Sequence, residues 1–171
     1  MANITIRGIS PRMGRSHRVR TATAQATVGQ TDWIKVPNWA NWMRVTVNIT
    51  AMTGTTPALT PTLITPADAG NASLGDVANP GTAATAPTDT AVVQLGGAVL
   101  TSGFTAAGTA VISVGPGVTG IANDVALGTT GVNYAYLNDI LPDILGISIV
   151  NFRGSSDETY TYTVDVLFRD N

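Results

Sequence analysis

The chain contains no cysteine. Disulfides, thiolate metal sites and cysteine nucleophiles are therefore excluded. It has one histidine, His17, one lysine, Lys35, and one glutamate, Glu158. A zinc site needs several ligands, so His17 alone gives no metal centre. A Ser-His-Asp triad would also have to use His17, in a stretch that reads as a mobile terminus. No apolar run approaches the roughly 18 residues of a membrane span. No signal-peptide apolar segment is read at the N-terminus, so synthesis in a cytoplasm without that export route is expected. Charge is scarce too, at 12% of residues. Helical proteins dress their exposed faces with Glu, Lys, Leu and Arg, so this scarcity argues against helix.

What fills the chain instead is 26 threonines, 22 alanines and 18 glycines in 171 residues. Threonine is β-branched and suits a pleated surface. Alternation of apolar and polar residues is clean from Met43 to Ala51 and from Thr159 to Phe168. Each predicts a strand with one face inward. Shorter strands are expected at Trp33–Val36, Ala58–Thr65, Ala91–Val99, Ala110–Val114 and Gly146–Phe152. Pro61 would place its strand at an edge or a bulge. Tyr134, Leu137 and Ile140 recur every third residue, which predicts a helical turn before Pro142. Seven or eight short strands separated by turn signals define an all-β fold, an antiparallel β-sandwich or jelly roll.

Five of the nine basic residues, Arg7, Arg12, Arg15, Arg18 and Arg20, fall in the first twenty positions, and no acid precedes Asp32. Residues 1–30 therefore read as an extended basic N-terminal arm, and residues 31–171 as the sandwich domain. These arginines are interspersed with Ile, Pro, Met and Val, so the arm is expected to touch protein more than nucleic acid. All three tryptophans, Trp33, Trp39 and Trp42, lie close together. A sugar-binding platform needs exposed, coplanar rings; packing at a sandwich end or an intersubunit seam is the expected role.

Motifs for chemistry are weak. Gly115 to Gly120 spells G-x-G-x-x-G after an apolar run, but no helical stripe follows to hold a pyrophosphate. The loop from Pro66 to Thr90 is rich in Asp and Asn without the spacing of a calcium loop. The carboxylates are almost all turn Asp, which serves local hydrogen bonding. Neither a metal nor a cofactor is expected, and no enzyme activity.

Two segments share an order of Pro-led entry, strand, polar turn and strand. They are DWIKVPNWANWMRVTVNITAMTGTTPALTPTLI and ILPDILGISIVNFRGSSDETYTYTVDVLFR, and each reads as a hairpin. The pattern D-W-x-x-V-P, then T-G-T-x-P, then a late L-P, resembles that of small tailed-bacteriophage virion structural proteins of the capsid decoration or cement type. The resemblance covers roughly a third of the chain. It implies a non-enzymatic protein on the capsid surface, assembled in the host cytoplasm. Its partners would be the major capsid protein and copies of itself, with a trimer favoured. The interface candidates are Arg7, Arg12, Arg15, Arg18, Arg20, Trp33, Trp39 and Trp42. The alternatives are a carbohydrate-binding or adsorption module of a phage tail, and a jelly-roll coat protein whose arm touches the genome.

Overall fold

In a computed structural model the chain is described for residues 14–26, 30–55, 57–66, 92–95, 104–118, 131–150 and 157–170. These residues form nine strands: β1 Ser16–Gln25, β2 Gln30–Lys35, β3 Trp42–Thr53, β4 Thr60–Pro66, β5 Val92–Gln94, β6 Gly108–Val114, β7 Gly131–Leu137, β8 Ile144–Val150 and β9 Thr159–Arg169. They build a β-sandwich. Sheet A has the order β1-β9-β3-β6-β7 and sheet B the order β2-β8-β4-β5. All neighbouring pairs are antiparallel except β6 with β7.

The alternation read in the sequence puts the core where expected. Met43, Val45, Val47 and Ile49 of β3 and Tyr160, Tyr162, Val164, Val166 and Phe168 of β9 are buried. They meet Ile34 of β2, Leu63 of β4 and Leu145, Ile147 and Ile149 of β8 in one apolar cluster between the sheets. Ala51 departs from the pattern and is exposed. The β3–β9 register shifts between Ile49 and Ala51, and such a bulge turns the following residue to the other face.

Strands β4 and β8 of sheet B are buried on both faces over residues 60–64 and 145–149. Thr60, Thr62, Ile64 and Ser148 alternate with the inward residues and are still at most 8% exposed. The outer face of sheet A is open, with Arg44, Asn48 and Thr50 exposed. Pro61 lies in β4, between β8 and β5, not on an edge strand. Its position is nonetheless tolerated: on the β5 side the Leu95 N–H donates to the Leu63 carbonyl, and the next backbone contact among the described residues is the Leu59–Phe104 bridge, so Pro61 falls between the two.

Three expectations are corrected here. The arm does not extend to residue 30. β1 pairs with β9 along its length, and Val19 and Ala22 lie in the core, so the domain starts before Ser16 pairs with Leu167. The helical turn over Tyr134–Ile140 is absent: β7 is a strand, with Ala135 and Leu137 inward and Tyr134 and Tyr136 outward. The two echoing segments are not hairpins. β3 and β4 lie in different sheets, as do β8 and β9. Each segment is an arch over the core, and the two arches pair with each other as β3 on β9 and β4 on β8. Of the loop expected over Pro66–Thr90 only Pro66, the last residue of β4, is among the described residues, and of the strand expected over Ala91–Val99 only residues 92–95 are.

Candidate functional site

Arg15 is exposed just before β1, while Arg7 and Arg12 lie outside the described residues. Arg18 and Arg20 are engaged within the domain. Arg18 donates to Asp165 on β9 at 2.6 Å. A register irregularity between Arg18 and Arg20 turns Arg20 toward the gap between the sheets, the kind of re-aiming a bulge performs. There its guanidinium forks onto Asp32 of β2, Nε to Oδ2 at 2.5 Å and Nη2 to Oδ1 at 2.6 Å. Burial is the largest single influence and opposes the Arg20 charge, but the hydrogen bond to Asp32, the charge of Asp32 and the nearby Tyr162 together outweigh it, so the Arg20 pKa is raised. A bidentate pair of this kind is among the stronger polar contacts. It joins the edge strands of the two sheets and closes one side of the sandwich. His17, on the same strand opposite Val166, has its Nε2 buried with no hydrogen-bond partner among the described residues.

The tryptophans separate. Trp33 is 4% exposed and lies outside the central core cluster, on the outer face of sheet B. It stands opposite Gly146, where an added Cβ would come within 2.8 Å of its ring and 2.7 Å of Ile64. Glycine is required there because the indole occupies the space a side chain would take. Trp39 lies within the Pro37–Ala40 turn and packs against the edge of the core. Trp42 opens β3 opposite Arg169, whose guanidinium carbon lies 5.4 Å from the ring centroid. The rings form no common platform.

A second buried polar contact closes the far end of the sandwich. Glu158 is 2% exposed, and the Tyr160 hydroxyl donates to its Oε2 at 2.8 Å. Gly54, at φ +113°, sits against the Glu158 side chain, where a Cβ would meet Cγ at 2.5 Å. Desolvation and then the Glu158 contact push the Tyr160 pKa above its ordinary value. Among the described residues no three His, Asp or Glu side chains gather as a metal-binding group.

The surface that sequence reasoning missed is on β7. Val132, Tyr134 and Tyr136 point outward from this edge strand and are 56%, 43% and 39% exposed. The two tyrosine rings are nearly parallel, 12° apart in plane with centroids 6.4 Å apart. Their neighbours across β6 are Thr109, Val111 and Ser113, so the patch carries no charge. The period-two signal was present as Val132, Tyr134 and Tyr136 against Ala135 and Leu137. It was masked by the three-residue spacing of Tyr134, Leu137 and Ile140.

No protein-family model, curated protein or solved structure matches the chain.

Proposed function

We propose that this protein is a non-enzymatic structural subunit of a tailed-phage virion, of the capsid decoration or cement type. It would bind the outer coat lattice and copies of itself. The observation that carries the reading is the strand order. With β7 set aside, the sheets run β1-β9-β3-β6 and β2-β8-β4-β5. That is the order expected of a double Greek-key jelly roll, an architecture used by viral capsid domains, lectins and cupins. Fold alone does not choose among these uses. Composition supports the virion reading among them: 12% charged residues and mean hydropathy +0.20 suit a chain whose surface is covered by neighbours.

The decoration reading is preferred to a coat protein with a genome-contacting arm. Of the basic residues assigned to that arm, Arg18 and Arg20 are spent on Asp165 and Asp32 inside the domain. Fewer are left to neutralise phosphate. The near-parallel exposed pair of Tyr134 and Tyr136 favours a second reading, a carbohydrate-binding module, because such rings can stack on sugar faces. Co-sedimentation with capsids lacking this protein separates the two. Saturable binding to capsids supports decoration. Absence of capsid binding together with sugar-dependent quenching of tyrosine fluorescence supports the second reading.

A further inference from the structure

Sheet A ends in two unlike edges. β1 bears Arg18 and Arg20 and two register irregularities, devices that keep an edge strand from pairing with another chain. β7 has none of these. Its sequence, GVNYAYL, contains no charge and no proline. It follows β6 in unbroken register from Gly131 to Leu137 and, among the described residues, has no strand on its other side. Its outer side chains form an exposed apolar row.

We propose that β7 pairs antiparallel with β7 of a second copy about a twofold axis at Tyr134, joining two A sheets into one continuous sheet. Three observations select this occupant. First, the row is self-complementary in that register. Tyr134 faces Tyr134, and Val132 faces Tyr136 in both directions, giving the aromatic and aromatic–β-branched cross-strand pairs that stabilise sheets. Second, the pairing keeps parity: Val132, Tyr134 and Tyr136 of both copies stay on the outer face, while Ala135 and Leu137 stay inward. Third, the electrostatics are permissive. The patch and its β6 neighbours Thr109, Val111 and Ser113 are uncharged, so self-apposition brings no like charges together. The same operation on β1 would oppose arginine to arginine. The contact is isologous, the commonest form of closed association. It deepens the decoration reading by naming the partner of this edge, yet rests on sheet A alone.

The natural absence of cysteine makes the register directly testable. In an antiparallel pair, directly opposed Cα atoms lie about 4.5–5.5 Å apart, within disulfide reach. Under mild oxidation the Tyr134→Cys chain should form a covalent dimer. Val132→Cys and Tyr136→Cys should each stay uncrosslinked alone and crosslink when mixed. Tyr134→Lys, which places like charges across the axis, should weaken the dimer by at least about tenfold while the circular dichroism of the folded chain stays unchanged. Sedimentation of the unaltered protein as a monomer at all concentrations, or as a trimer, would overturn the proposal, as would failure of Tyr134→Cys to crosslink. A dimer that ignores capsids would leave this pairing standing and remove the decoration reading; a capsid-binding monomer would do the reverse.

Discussion

Arg20 on β1 and Asp32 on β2 belong to different sheets, yet their side chains meet in a two-pronged contact of 2.5 and 2.6 Å. The pair is part-buried, with side-chain exposures of 20% and 17%. Removing one partner strands the other in a site where water reaches it poorly. Asp32→Ala or Arg20→Ala should therefore cost about 1–3 kcal/mol, read from chemical denaturation. The Arg18–Asp165 pair is more exposed, at 52% and 21%, and solvent screens it, so Arg18→Ala should change stability far less than Arg20→Ala.

Alkaline pH should loosen the fold through its buried tyrosines. Tyr160 and Tyr162 both have raised pKa values, in each case with desolvation as the largest cause. The folded state then keeps these protons at pH values where the unfolded chain loses them. Their contribution is fully present below the unfolded tyrosine pKa of about 10 and declines as pH rises beyond it. Stability measured by denaturation should fall above that pH, and Tyr160→Phe should make the fall shallower. At neutral pH the same variant should be less stable by about 1–3 kcal/mol, because the Glu158 carboxylate loses a buried donor. A steeper alkaline fall in Tyr160→Phe would contradict this account.

Trp33 and Gly146 should behave as one packing unit. Trp33→Ala empties a buried aromatic site and should cost about 3–5 kcal/mol. Gly146→Ala inserts a methyl 2.8 Å from the indole and 2.7 Å from Ile64, both buried, and should cost about 1–3 kcal/mol. In the double variant the costs should be less than additive, since the cavity left by the indole accommodates the methyl. Calorimetry on the four proteins checks this.

Removal of residues 1–25 should prevent folding. It takes away the strand that covers β9, the core side chains Val19 and Ala22, and the Arg20 clasp. A cooperative thermal transition retained by the truncated chain would show that β1 is dispensable.

How far these features could be read from the sequence depends on one property, a single buried face. β3 and β9 bury one face and wet the other, so period-two alternation marked them almost to the residue. β1 hides because it buries little: its burial is confined to Val19 and Ala22, and the bulge turns Arg20 inward against the alternation. β7 hides because apolar side chains occupy both faces, so Leu137 and Ile140 completed a false helical spacing with Tyr134. The arches were misread as hairpins because strand, turn and strand look alike whether the chain returns within a sheet or crosses to the other. Only the register of β3 on β9 and β4 on β8 distinguishes them. Of the candidate site, the tryptophan cluster and the arginines were visible by type. Their separation into an outer-face plug, a core-edge ring, a cation–π contact and two ion pairs depends on pairing that local sequence does not encode.

On the proposed function, this sandwich is a repeated element of a virion surface. Cryo-electron microscopy of the particles that carry the protein tests it most directly. The account predicts density for the two-sheet sandwich in symmetric array on the outside of the capsid, absent from particles that lack the gene. Density confined to the tail, or particles with no such density although the protein is present in the lysate, would contradict it.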